Sequence, residues 1–225
     1  MRHPMKKSLI TTAVAMLSFM AASAQDTFEA TPDSYFGIRV GGDIVCPGKL
    51  SYDNVSVSTF KVGGGIEFGG IYNASIAQNF YIEPGLKFYY DSYSVKKDML
   101  SAMEGVYISD VSYRKFGMRI PVMAGFRFDT GMESKLSIFT GPELEIGLSA
   151  KEHAKGSNGI SVSESVYGDD GGMNRVNLLW GIGAGITYQH FYFGLSGGIG
   201  LLNMMSDSDA SFHESRVTFS VGYNF

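Results

Sequence analysis

Apolar and polar residues alternate along eight stretches of the chain. In 35–44, Phe36, Ile38, Val40 and Ile44 oppose Arg39 and Asp43. In 60–72, Phe60, Val62, Ile66, Phe68 and Tyr72 oppose Lys61 and Glu67, and in 80–91, Phe80, Ile82, Leu86, Phe88 and Tyr90 oppose Glu83, Lys87 and Asp91. The run 115–128 sets Phe116, Met118, Ile120, Val122, Phe126 and Phe128 against Lys115, Arg119 and Arg127, and 136–148 sets Leu136, Ile138, Leu144, Ile146 and Leu148 against Glu143 and Glu145. In 175–188, Val176, Leu178, Trp180, Ile182, Ile186 and Tyr188 oppose Arg175 and Asn177, while 191–201 alternates Phe191, Phe193, Leu195, Ile199 and Leu201 with Tyr192, Ser196 and glycines. The terminal run 216–225 places Val217, Phe219, Val221, Tyr223 and Phe225 opposite Arg216, Thr218, Ser220, Gly222 and Asn224. Period two marks strands with two different faces without naming the solvent on either side.

Charge and side-chain size name it. Not one position on these apolar faces is charged, although charged residues make up 18% of the chain. A Lys or Arg facing lipid at mid-membrane costs about 2–4 kcal/mol, whereas a half-buried strand of a water-soluble sheet tolerates a charge near its ends. The opposite faces carry glycines and charges of both signs: the cations Arg39, Lys61, Lys87, Lys115, Arg119, Arg127, Arg175 and Arg216, and the anions Asp43, Glu67, Glu83, Asp91, Glu143 and Glu145. An eight-stranded barrel is only just wide enough inside for side chains to fill it. Small and mutually neutralising residues therefore belong in the lumen and bulky aromatics outside. The pattern predicts an all-β fold, an eight-stranded antiparallel transmembrane up-and-down β-barrel with a charge network in its lumen.

The connections between these strands run long, short, long, short, long, short, long: 45–59, 73–79, 92–114, 129–135, 149–174, 189–190 and 202–215. Bacterial outer-membrane barrels have short periplasmic turns and longer outer loops, with both chain ends in the periplasm. Pro84, Pro121 and Pro142 fall inside expected strands, where each removes a ladder donor, and bulges are expected to accommodate them.

The first residues read as an export signal. Arg2, Lys6 and Lys7 precede an apolar stretch from Ser8 to Ala21, and Ala22-Ser23-Ala24 supply a small-residue cleavage site. The expected organisation is a signal peptide over 1–24 and a barrel domain over 25–225. Cleavage removes three of the 18 basic residues and none of the 22 acidic ones, for a net charge of −7. That balance argues against nucleic acid as a partner. The single Cys46 permits no intramolecular disulfide and reads as a loop or strand-end residue.

The segments "FYIEPGLKF" (80–88), "FGMRIPVMAGFRF" (116–128), "SIFTGPELEIGL" (137–148) and "LLWGIGAGITY" (178–188), with the ending "VGYNF", resemble the outer-membrane β-barrel domain family abundant in Bacteroidetes, the porin-like or PorT-like small barrels. The resemblance covers nearly all of the chain after residue 24, and the three prolines recur in comparable segments of that family. It implies a bacterial outer-membrane location, contact with outer-membrane lipid and lipopolysaccharide, and recognition of the C-terminal aromatic residue, here Phe225, by the barrel-assembly machinery.

Candidate chemistry adds little. "GIGAGI" (181–186) and "GGIG" (197–200) lack the strand-turn-helix setting of a phosphate loop and read as small lumen residues. His190 sits in a tight turn, and His153 and His213 fall in expected outer loops. "SFHES" (211–215) offers a Ser and a His near the outer rim with no identifiable orienting acid or oxyanion site, so catalysis is not expected. Asp169-Asp170 and Asp207 with Asp209 lack calcium-loop spacing and read as solvated loop charge. No cofactor and no metal site are expected. The leading functional expectation is a non-enzymatic barrel acting in envelope structure or surface interaction. A narrow solute channel and an accessory component of a secretion system are the alternatives, with a membrane enzyme last.

Overall fold

A computed structural model describes residues 34–52, 55–101, 108–131, 133–156, 160–167, 172–206 and 209–225. The expected signal peptide, Asp169-Asp170 and Asp207 lie outside the described residues. Eight strands form the barrel wall: β1 (Tyr35–Pro47), β4 (Gly63–Ser75), β5 (Phe80–Ser94), β6 (Ile108–Gly131), β7 (Ser134–Gly156), β9 (Val176–Tyr188), β10 (Phe191–Gly200) and β12 (Glu214–Asn224). Each pairs antiparallel with its neighbours in the order β6-β5-β4-β1-β12-β10-β9-β7, and pairing of β6 with β7 closes the ring. β2 (Leu50–Tyr52), β3 (Val55–Val57) and β11 (Ala210–Ser211) make a small separate sheet, and β8 (Ser161–Ser165) adds to the edge of β7. One short helix, α1 (Lys97–Ser101), follows β5. Closure satisfies the backbone groups that would otherwise be left open at two edges, a condition for crossing hydrocarbon.

The apolar rows face outward. Phe36, Val40, Phe68, Leu86, Phe128, Ile138, Trp180, Phe193 and Val221 are all exposed, while Arg39, Asp43, Glu67, Asp91, Arg119 and Glu145, on the opposite faces of wall strands, are buried. Tight turns join β4 to β5, β6 to β7 and β9 to β10 at the end of the barrel that also holds the start of β1 and the end of β12. Two of these turns use left-handed backbone, at Gly131 (φ 80°) and Glu133 (φ 59°) in one and Gln189 (φ 53°) in the other. An aromatic girdle surrounds this end: Phe80 lies on Phe126 at 4.7 Å, Phe36 on Tyr72 at 4.6 Å, and Tyr223 on Phe225 at 5.2 Å between ring centroids.

Four expectations require correction. The prolines are not accommodated by bulges. Each is paired on one side and unpaired on the other, with the register unchanged: Pro84 pairs with Val122 but no pair joins it to Tyr72, Pro121 pairs with Glu143 but not with Gly85, and Pro142 pairs with Trp180 but not with Val122. The register shifts of the β6–β7 ladder fall elsewhere, one of them between Phe116 and Gly117. Secondly, β4 begins at Gly63, so Phe60 and Lys61 precede the wall. Thirdly, β6 and β7 run well past the rim, which places His153 in a strand. Lastly, bulky aromatics are not confined to the outside. Tyr81, Tyr89, Tyr93 and Tyr192 are buried on the lumen side, where the glycines of facing strands leave them room.

Candidate functional site

At mid-barrel the lumen is crossed by one guanidinium. Arg119 of β6 donates from Nη1 to Asp43 Oδ2 (2.6 Å) and Glu67 Oε2 (2.9 Å), from Nη2 to Asp91 Oδ2 (2.5 Å), and from Nε to Glu145 Oε2 (3.0 Å). Its four carboxylates come from β1, β4, β5 and β7, and its side chain is 1% exposed. Tyr89 lies over the guanidinium face at 4.1 Å. The flat, five-donor fork of Arg suits this role in a way that the compact ammonium of Lys does not.

Further pairs extend the cluster. Lys87 donates to Glu67 (2.7 Å), Lys115 to Glu214, and Arg216 to Glu143. Glu145 lies 3.7 Å from both Lys115 and Arg216, and Thr218 Oγ1 donates to Asp43 Oδ1 (2.5 Å). Nine of the fourteen residues named from sequence therefore meet here: Asp43, Glu67, Lys87, Asp91, Lys115, Arg119, Glu143, Glu145 and Arg216. Three others form a layer nearer the tight turns. Arg127 donates to Asn73 Oδ1 (2.5 Å), Asn73 in turn donates to Glu83 (2.9 Å), and Arg39 stacks on Tyr192 at 4.0 Å. The remaining two lie outside the lumen. Lys61 is exposed before β4, and Arg175 is exposed before β9, its guanidinium 5.2 Å from the Tyr167 ring.

Glu214 was not identified from sequence. The last strand shows its apolar alternation only from residue 216, because the residues before it face the outer segments and not lipid. A charge two positions before Arg216, on the same face, was the available signal.

Above the ions sits a small hydrophobic core. Ala150, Tyr167, Met173, Met204 and Phe212 are buried together, with Leu50, Phe60, Val166 and Met205 packed against them. Phe60 also touches a second group, Val95, Leu100 and Val111. Its ring lies 5.2 Å from Phe212, 5.4 Å from Tyr93 and 5.6 Å from Tyr113, which ties the outer segments to the barrel. Phe60 is thus an inward anchor of this cap, not a lipid-facing residue. Burial pushes the hydroxyl of Tyr167 up to about 12 and raises that of Tyr113, which also donates to Glu152 (2.6 Å), so both stay neutral.

The rim residues of "SFHES" are not drawn together as a catalytic group. Ser211 lies in β11 opposite Ser51, His213 is exposed, and its carbonyl accepts from Gly48 N (2.8 Å). Cys46 is a free, half-buried thiol near the end of β1. Phe225 is exposed at the tight-turn end, and its N–H donates to Phe36 O (2.8 Å).

A closed ring of eight antiparallel strands with a charged lumen and an uncharged band around its outer wall defines an outer-membrane β-barrel protein. Residues 24–206 match the family described as outer membrane protein beta-barrel domain, and the chain belongs to that family and to the bacterial outer membrane. No curated protein matches the chain. Among solved structures it is similar to Ail, the attachment invasion locus protein of Yersinia pestis, in complex with the heparin analogue sucrose octasulfate (16% identity, 85% of this chain and 99% of that one, TM-score 0.44). It is also similar to OprG from Pseudomonas aeruginosa (10% identity, 85% and 96%, TM-score 0.44) and to the outer membrane enzyme PagL (13% identity, 82% and 98%, TM-score 0.41).

Proposed function

We propose that the protein is a non-enzymatic integral barrel whose lumen is closed by side chains, and that it serves envelope structure or surface interaction through the outer segments that its cap holds in place. The observation that carries this reading is the Arg119 cluster. One buried guanidinium tied to four carboxylates on four strands occupies the middle of the lumen, and the Phe60–Phe212 core lies above it. Side chains can fill a ring of eight strands, whereas aqueous channels are typical of about 16. Within the family, we assign the chain to the PorT-like branch on the resemblance of its proline-bearing segments.

Planar-bilayer recording tests the closed lumen. The purified barrel is expected to insert without unitary current, and reproducible stepwise openings would establish a channel instead.

A further inference from the structure

The outward face of β6 is apolar from Phe128 to Phe116 and then changes character: Arg114 and Ser112 follow on the same side. On β7 the apolar row ends at Leu148, where two consecutive exposed residues, Leu148 and Ser149, mark the register shift opposite Phe116. Beyond it, the outward positions are Ser149, Lys151 and His153. Arg114 is directly opposite Lys151, and Ser112 opposite His153. The neighbouring strands add hydroxyls, with Ser92 beside Arg114, Ser165 beside Lys151 and Ser163 beside His153.

Like charges directly opposed across a ladder are destabilising. Among the described residues, neither Arg114 nor Lys151 nor His153 has a carboxylate partner. Glu152 and Glu164 belong to the other face, and the one acid on this face, Asp110, stands farther out opposite Lys155. Tyr90, Arg114, Phe116, Ser149, Lys151 and His153 line a shallow hollow of about 160 Å³. Its floor is apolar and continuous with the lipid-facing wall, and its upper rim is cationic.

Height fixes the occupant. From Phe128 to Phe116 the strand rises about 40 Å, or about 30 Å along the membrane normal at the usual tilt, which spans the apolar band and its girdles. Arg114 lies two residues beyond, about 5 Å higher, at the level of headgroup phosphates. A solute anion would have no reason to sit on the membrane-facing wall over two aromatic rings, whereas a phosphorylated lipid presents an acyl chain and an anion in this vertical order.

We propose that Arg114, Lys151 and His153 form a binding site for the phosphate of a glycolipid in the outer leaflet, whose first acyl carbons lie against Phe116 and Tyr90. The Arg fork can engage two phosphate oxygens and Lys151 supplies a point charge from the next strand. This inference depends on the membrane placement of the wall and not on closure of the lumen, so silence or current in the bilayer experiment leaves it unaffected.

Native mass spectrometry of the full chain, refolded in detergent and incubated with bisphosphorylated lipid A, tests it. Retention is expected to fall about thirtyfold in the double variant Arg114→Gln/Lys151→Gln, to fall similarly for wild-type protein given lipid A stripped of its phosphates, and to be unchanged in Lys49→Gln, an exposed cation elsewhere on the outer side. Excess inorganic phosphate is expected not to displace the lipid. Equal retention by the double variant, equal retention of the dephosphorylated lipid, or displacement by inorganic phosphate would each overturn the proposal, the last by making this a free-anion site. A difference in gel mobility between unheated and boiled samples verifies folding. If the double variant does not fold, the single variants Arg114→Gln and Lys151→Gln replace it, each with an expected loss of about fivefold.

Discussion

Arg119 shows how much one lumen residue can hold. Its four carboxylate partners are 0–4% exposed, so its removal strands several negative charges in a volume from which water is largely excluded. Breaking a buried ion pair by deleting one partner costs about 3–5 kcal/mol. Arg119→Met is expected to lower stability by at least that amount, read from urea unfolding in detergent by the fluorescence of Trp180, the single tryptophan. An unchanged midpoint would show that the cluster contributes nothing net. The glycines separate into two kinds by what a methyl group would meet. At Gly69 a Cβ would collide with Leu86 O and Lys87 Cα, both backbone atoms that cannot turn aside, while at Gly42 nothing lies within 4 Å. Gly69→Ala is therefore expected to cost about 1–3 kcal/mol and Gly42→Ala to be tolerated in the same unfolding measurement. Residue identity in the lumen was legible from sequence wherever an apolar neighbour on each side marked the face. It failed at Lys61 and Arg175, which lie just before their strands begin, and at Glu214, which stands ahead of the apolar alternation of the last strand.

At the scale of elements, alternation located all eight strands because lipid contact imposes it, and it missed their extensions for the same reason. Above the membrane the outward face of β6 and β7 meets headgroups and water, so Arg114, Lys151 and His153 replace the apolar row although both strands continue past the register shift at Leu148 and Ser149. The cap was illegible for a different reason. Its residues, Phe60, Tyr167, Met173, Met204 and Phe212, come from three separate connections between wall strands, and no local period relates them. The buried tyrosines were hidden by a rule that equates large with lipid-facing. Tyr81 fits inside because Gly125 on the neighbouring strand has no side chain; a methyl group there would run into the tyrosine ring. At the end of the chain, the half-buried Tyr223 of β12 packs edge-on against the exposed Phe225 that follows the strand. We propose that this strand carries the assembly signal. Deletion of Phe225 is expected to reduce the membrane-inserted, heat-modifiable form several-fold relative to total chain on gels, and an undiminished amount would refute that role.

For the molecule as a whole, the two faces of the wall and the two ends of the barrel were both readable, the first from charge and the second from the alternation of long and short connections. What the lumen does was not, because an ion cluster and a wet passage can be written with the same residue types; the convergence of four strands on Arg119 is the observation on which our proposal of a closed lumen rests. Export also belongs to this scale. We propose that 1–24 is removed on the way to the outer membrane, and the intact mass of the inserted form is expected to correspond to a chain beginning at Gln25. A mass that includes the first 24 residues would refute it.

The interruptions at Pro84, Pro121 and Pro142 fall on three consecutive seams, β4–β5, β5–β6 and β6–β7, whereas the seam where the first and last strands meet, β1–β12, runs unbroken from Gly37 opposite Asn224 to Pro47 opposite Glu214. In the ring, β6–β7 is diametrically opposite that seam. Stiffness is thus distributed unevenly around the circumference. The joint that can form only when every other strand is present is fully stitched, and the compliance needed to bend the wall into a cylinder is kept on the far side, where contiguous hairpins hold it in register.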